Sequence, residues 1–371
     1  MLFDTAFWLA APAALMWFGL LLTPWRAWST RERLEAKPGA MMTDLGSVTV
    51  LIPARNEAEV IGQTLSALQA QGPGLKIIVI DDQSDDGTGD IARSYGNVRV
   101  VGGAPLPAGW AGKLWALEQG KAHVDTPMTL LLDADIALEP GLLPTLIRHK
   151  LESGSNFVSL MADLRRTSFW DRLLLPAFVY FFKLLYPFGL SNSKFRWVAA
   201  AAGGCVLVDT AALHKAGAFA SLRGALIDDC TLARQIKRAG YRTWIGLSRS
   251  VISLRPYGDL KSIHDMVARS AFTQLGYSTP LLLFVTLLFA AAYWLPLAAL
   301  VLGSKLAAAA LLAMCLAYVP TLRYYDLSPI WALASPIIGA LYLGMTWSSA
   351  LRYWRGVRSK WKNRTYEVPP A

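Results

Sequence analysis

Charge is scarce in this chain. Only 17% of its 371 residues are Asp, Glu, Lys or Arg, while 54% are hydrophobic; an ordinary soluble domain carries about 25% charged residues. That balance argues against a wholly water-soluble protein. Cysteine is scarce too. Cys205, Cys230 and Cys315 follow no zinc or disulfide spacing, which excludes a disulfide framework and suits a reducing compartment. His123, His149, His214 and His264 are scattered and form no metal cluster. No Gly-rich dinucleotide fingerprint follows the first strand. Gly112-Lys113 resembles the end of a P-loop, but Leu114 replaces the required Ser or Thr and Pro107 the first Gly. The net charge of +10 therefore has to be explained otherwise. The basic residues cluster beside apolar segments, so the expected partner is a bilayer with anionic headgroups and no nucleic acid.

The apolar segments lie at the two ends. Phe7 to Thr23 is nearly free of charge, with Asp4 before it and Arg26, Arg31, Arg33 and Lys37 after it. A signal peptide wants positive charge before the apolar core, so the segment reads as an uncleaved anchor followed by a cytoplasmic domain. A buried amphipathic helix is the alternative. In the last third, Pro280 to Gly303 and Pro329 to Leu351 are long enough to cross a bilayer, and Leu306 to Leu322 is marginal. Trp347, Tyr353 and Trp354 then form an aromatic belt ahead of a tail carrying Arg352, Arg355, Arg358, Lys360, Lys362 and Arg364. Four crossings would put that tail outside, against the positive-inside tendency, so the number of spans stays open. Phe169 to Leu190 is Phe- and Leu-rich but contains Asp171, Arg172, Lys183, Pro176 and Pro187. It reads as an interfacial helix lying along the membrane, with a buried core helix as the alternative.

Between these ends, apolar β-branched runs alternate with amphipathic stretches. Strands are expected at 48–52, 76–80, 98–101 and 128–132, with helices at 58–70, 88–95 and 113–122. Continuously apolar strands between helices indicate a parallel sheet covered on both faces. Ligands in such sheets bind beyond the carboxyl ends of the strands, and the polar clusters fall there. The first strand runs into Pro53-Ala54-Arg55-Asn56-Glu57, the second into Asp81 through Thr88, and the fourth into Asp133-Ala134-Asp135. Ser84, Asp85 and Asp86 stand where helix-capping residues are expected. Asp133 and Asp135 read differently: alternation in an extended segment would put both carboxylates on one side, where they repel unless a cation intervenes. Hard oxygen ligands of this kind suit Mg²⁺ or Mn²⁺ on a diphosphate.

Taken together, these stretches resemble the family 2 glycosyltransferases. The resemblance runs through 50–57 and 79–88, Gly112-Lys113 with Ala116-Leu117, and Asp133-Ala134-Asp135. It continues through Gly203-Gly204-Cys205 and Asp228-Asp229-Cys230-Thr231-Leu232-Ala233-Arg234. It implies an α/β GT-A fold with a Rossmann-like mixed sheet, carrying transmembrane helices at its ends. It further implies that Pro53, Arg55 and Glu57 line the nucleotide pocket, that Asp82 binds the base, and that Lys113 touches the diphosphate. Asp133 and Asp135 would hold a divalent metal, and Gly203 and Gly204 would underlie the acceptor. Asp228-Asp229 stands where the family has Glu-Asp, with Asp229 as general base; a helix N-terminus favours acids there in any case. One departure concerns the Gln-x-x-Arg-Trp sequence of many membrane members. Met266-Val267-Ala268-Arg269-Ser270 keeps only Arg269, which would face the diphosphate, and this argues against a processive polysaccharide synthase.

The overall layout, with Phe169-Trp170-Asp171-Arg172-Leu173-Leu174 and Leu226-Ile227-Asp228-Asp229, looks like the hopanoid-biosynthesis-associated glycosyltransferases and, more distantly, the ceramide glucosyltransferases. It implies an inverting enzyme of the bacterial inner membrane that moves a sugar from a nucleotide-sugar, UDP-linked, to a lipid acceptor. The expected organisation is an anchor with basic flank over 1–36, a cytoplasmic catalytic domain over 37–271, membrane helices over 272–351 and a basic tail over 352–371. A polyprenyl-phosphate sugar synthase is one enzyme alternative, and a processive polysaccharide synthase, disfavoured by the altered arginine motif, is another. A membrane scaffold with a vestigial transferase domain is the non-enzymatic alternative, and it would be expected to have lost these acids.

Overall fold

In the computed structural model, residues 2–37, 39, 44–223, 225, 228–356, 360–361 and 364–365 are described. Leu226, Ile227 and the tail residues Arg358 and Lys362 lie outside them, as does the side chain of Asp228. The chain forms two compact units. One comprises Met1–Arg31, Arg166–Gly189 and Tyr257–Arg358, the other Glu32–Arg165, Leu190–Pro256 and Ser359–Ala371.

The second unit is built on an eight-stranded sheet. Its strands are β1 (Val48–Ala54), β2 (Lys76–Asp81), β3 (Val98–Gly102), β4 (Met128–Leu132), β5 (Ile136–Leu138), β6 (Phe157–Asp163), β7 (Cys205–Asp209) and β8 (Thr243–Ser253). They are ordered β3-β2-β1-β4-β7-β6-β8-β5. β1 to β4 run parallel, β7 is antiparallel to both its neighbours, and β6 and β8 are parallel to each other. It follows that β6 and β8 point the same way as β1 to β4. One edge of the sheet thus collects the carboxyl ends of six strands and the amino end of β7. The parallel arrangement expected of the strands at 48–52, 76–80, 98–101 and 128–132 holds for β1 to β4, and the antiparallel β7 and β5 make the whole sheet mixed, as the resemblance implied.

Alternation along β1 explains why both faces are covered. Val48, Val50, Ile52 and Ala54 pack with Ile61, Leu65 and Leu68 of the helix Ile61–Gln69. Leu51 faces the other way, against Leu114 and Leu117 of the helix Gly112–Lys121 and Ile236 of the helix Asp228–Arg238. Successive side chains of a strand point to opposite faces, so a run whose one polar member, Thr49, is itself buried sits between two covered faces.

Among the described residues of the helical unit, four helices are long and apolar enough to cross a membrane: Thr5–Leu22, Thr279–Val301, Lys305–Tyr324 and Pro329–Trp354. Leu306 to Leu322, marginal by sequence, lies inside the third. The helix Phe169–Leu185 begins on a capping box, in which Ser168 accepts from the Asp171 N–H and Asp171 accepts from the Ser168 N–H. Asp171 and Lys183 are both buried in this unit. Asp171 also accepts from Thr167 and from the Gly258 N–H, and Lys183 donates to the Ser29 carbonyl. These hydrogen bonds hold the Asp171 carboxyl below the usual carboxylate range, against the upward push of its own burial.

Candidate active site

The loops after β1 and β2 are tied into one structure at the carboxyl edge. Arg55 donates to the carbonyls of Asp82 (2.5 Å) and Gln83 (3.1 Å). Asn56, at a positive φ of 51°, donates its N–H to the Ser84 hydroxyl and accepts from the Asp85 N–H. Glu57 donates its N–H to the Thr88 hydroxyl at 2.8 Å. Asp86 accepts from Thr88 at the start of the helix Thr88–Arg93, as a capping acid would, and also from the Ala58 N–H across the loops. Those bonds draw its carboxyl below the usual range, although burial pushes the other way. Asp82 is fully buried, behind the carbonyl that holds Arg55.

A second cluster forms where β4, β7, β8 and two helices converge. Asp133-Ala134-Asp135 is not extended: the Ile136 N–H donates to the Asp133 carbonyl at 3.1 Å, closing a turn. The expected alternation is therefore not what brings the two carboxylates together. The chain leaves β4 here and crosses to β5, which pairs with β8 at the far end of the sheet. Lys113, in the first turn of its helix, lies 2.5 Å from Asp133 Oδ1. Arg255, just beyond β8, meets Asp135 at 3.1 Å and Glu57 at 3.3 Å. Burial raises the Asp135 carboxyl above its ordinary range, the charge of Asp133 adds to this, and Arg255 and Lys113 oppose it.

Gly203 and Asp229 complete the cluster. Asp229, at the start of its helix, accepts from the Gly203 N–H at 2.9 Å and from the Cys230 N–H at 2.7 Å. A Cβ on Gly203 would lie 3.3 Å from Lys113 Nζ and 3.3 Å from Asp229 Cβ, so ammonium and carboxylate flank the same bare backbone. Pro53, Lys113, Asp133, Gly203 and Asp229 line one cavity whose floor is apolar. Gly203→Ala is expected to cut kcat/KM roughly tenfold while leaving the melting temperature nearly unchanged. The neighbours must give by tenths of an ångström, and misplacements of about 1 Å cost on the order of 10²-fold. Initial rates and a thermal melt check it.

Not every residue singled out by sequence enters this cavity. A Cβ on Gly204 would meet Ile136 at 3.3 Å, so Gly204 packs against β5, while its carbonyl accepts from the Asp133 N–H. Arg269 is exposed at the end of the helix Leu260–Ala268 in the helical unit. Asp228 opens the helix Asp228–Arg238. Arg255 was missed, although the strand-end rule that found the other clusters applies equally to Leu254-Arg255-Pro256 after β8. What hid it is that β8 is not followed by an acidic run.

Among the described residues, no three His, Cys, Asp or Glu side chains group to hold a metal. Asp133 and Asp135 can supply two hard oxygen ligands, and the remainder would come from a bound diphosphate or water. That donor set fits Mg²⁺ or Mn²⁺, which commonly use one or two carboxylates plus phosphate oxygens.

Residues 46–267 match the model of the glycosyltransferase-like family 2. The chain belongs to this family. A 4,4'-diaponeurosporenoate glycosyltransferase of Staphylococcus aureus is 34% identical over 132 residues, which is 35% of this chain and 35% of that protein. The match thus spans about a third of the relative's length. Among solved structures, the mannosyltransferase PcManGT from Pyrobaculum calidifontis, in complex with GDP-mannose and Mn²⁺, superposes with a TM-score of 0.55 at 21% identity. That likeness covers 95% of this chain and 99% of the other. The glycosyltransferase domain has the GT-A fold, carried together with the apolar helices described above.

Proposed function

We propose that the chain is an inverting glycosyltransferase that moves one sugar from a nucleotide-sugar, UDP-linked, to a membrane lipid alcohol such as a hopanoid. The observation that carries this reading is the single cavity in which Lys113, Asp133, Gly203 and Asp229 meet. Asp229, oriented by two backbone N–H groups, takes the proton of the acceptor hydroxyl. That oxygen then forms a bond to the anomeric carbon from one face, while the bond to the diphosphate breaks on the other. The leaving diphosphate keeps the electron pair, and one displacement inverts the centre. Lys113 stabilises its negative charge. A divalent metal held by Asp133 and Asp135 would supply further charge stabilisation for the diphosphate.

Pro53, Arg55, Glu57 and Asp82 bound the nucleotide pocket, and Arg255 fixes Glu57 and Asp135 relative to each other. Asp228, which precedes the base in the sequence, is assigned by the resemblance to assist it. Gly203, with Gly204 behind it, leaves room for the acceptor. The family resemblance assigns Arg269 to the diphosphate, and the Phe-rich helix Phe169–Leu185 is the candidate to present the lipid. The cations Arg26, Arg31 and Arg33 beside the first apolar helix support a cytoplasmic catalytic domain on the bacterial inner membrane. The staphylococcal relative, named for diaponeurosporenoate, supports a lipid-like acceptor, and the GDP-mannose and Mn²⁺ complex of PcManGT supports a nucleotide-sugar and a metal. Mass spectrometry of lipids from cells with and without the chain tests the reading. A lipid class heavier by one sugar should be present only with the chain, and identical lipid profiles would refute it.

A further inference from the structure

The loop between Ser191 and Val198 carries a second surface feature. Its feet are fixed. Lys237, on the helix Asp228–Arg238, is buried and donates to the carbonyls of Ser191 at 2.5 Å and Val198 at 2.8 Å. Asn192 exchanges two hydrogen bonds with Ile245 of β8, at 2.9 and 2.7 Å, and the Ala200 N–H donates to the Ser191 hydroxyl at 2.9 Å. Between these feet, Ser193 to Trp197 are all exposed. The tip reads Lys194-Phe195-Arg196-Trp197, with Phe195 49% and Trp197 81% exposed. Large aromatic side chains are rarely left this bare on a loop so firmly held at its base.

We infer that Lys194–Trp197 is a finger that inserts Phe195 and Trp197 into the headgroup layer of a bilayer, with Lys194 and Arg196 against anionic lipid phosphates. Three observations favour a bilayer over another occupant. Aromatic residues settle at the membrane interface, where an apolar ring and a polar edge are both satisfied. The interleaved cations match the negative surface of an anionic leaflet and would be poorly placed in a dry protein interface. The same chain carries four helices long and apolar enough to span a bilayer, so a bilayer is within the chain's reach. Past Trp197 the chain runs through Val198 to Ala202, with Ala202 hydrogen-bonded to Ser159, into Gly203. Five residues, Val198 to Ala202, thus join the finger to Gly203, which lines the cavity. The membrane contact itself does not depend on the transfer reaction.

The test uses the full chain in nanodiscs. Cys205 and Cys230 are buried, and Cys315, less buried, is replaced by Ala. In that background Trp197→Cys is labelled with an environment-sensitive fluorophore, and Asp125→Cys, exposed beside Lys76 at the start of β2, serves as the control. The label at 197 should emit to the blue of the control and be quenched by spin-labelled lipid roughly twofold more strongly or better, as expected for interfacial depth. In anionic discs, adding Lys194→Glu and Arg196→Glu should reduce that quenching, and in zwitterionic discs it should change it little. Equal quenching at the two positions would overturn the inference. So would a blue-shifted label at 197 that lipid-borne quencher does not reach, since that places the finger against protein.

Discussion

Asp229→Asn is expected to lower kcat by about 10²- to 10⁴-fold, the usual share of a positioned general base, with nucleotide-sugar affinity close to wild type. The side chain accepts from the Gly203 and Cys230 N–H groups and is the base proposed for the acceptor hydroxyl, whereas the carboxylates proposed for the donor are Asp133 and Asp135. An amide keeps the shape and at most one of the two accepted hydrogen bonds, so the melting temperature falls modestly while the ability to take a proton is lost. Steady-state kinetics paired with calorimetric titration of the donor separates the two effects. A parallel collapse of donor affinity and turnover would move Asp229 from the acceptor side to the donor side.

Chelation of divalent metal is expected to reduce turnover to background, and excess Mn²⁺ or Mg²⁺ to restore it. The physical reason lies in the charges around Asp135. Its carboxyl is half-buried beside Asp133, and among the described residues Arg255 and Lys113 counter the pair. A nucleotide-sugar brings a diphosphate to the same place, and two cationic side chains already engaged with carboxylates cannot neutralise it alone. Asp135→Asn should behave similarly, losing metal-dependent donor binding in a titration and lowering kcat/KM by on the order of 10²-fold or more. Full activity in excess chelator would remove the metal from the reaction and leave Lys113 and Arg255 as the charge partners of the diphosphate.

The donor half of the domain was legible in the sequence because its strands are nearly pure apolar runs. β4 was placed at the residues observed, and β1, β2 and β3 extend only one or two residues beyond the expected ends. The polar residues after them had nowhere to go but the carboxyl edge. The turn at Asp133-Ala134-Asp135 was not legible, because whether a short polar stretch stays extended depends on where the next strand pairs. β5 pairs with β8, more than a hundred residues later in the chain. The same holds for the later strands: β7 reverses direction between β4 and β6, and no local pattern encodes that. Arg255 escaped notice for a related reason, since its partners Glu57 and Asp135 are remote in sequence. Asp171 and Lys183 read as charges that spoil a span; the structure buries them with backbone partners, which no local periodicity reports.

The most direct test is made with the purified full chain in nanodiscs, supplied with bacterial lipid extract, Mn²⁺ and radiolabelled UDP- or GDP-sugars. The account predicts label in the organic phase on a lipid that survives mild acid as a glycoside, absent with Asp229→Asn and absent in chelator. Label confined to polysaccharide, or an acid-labile sugar phosphodiester, would contradict it, as would no transfer to lipid from any of the donors.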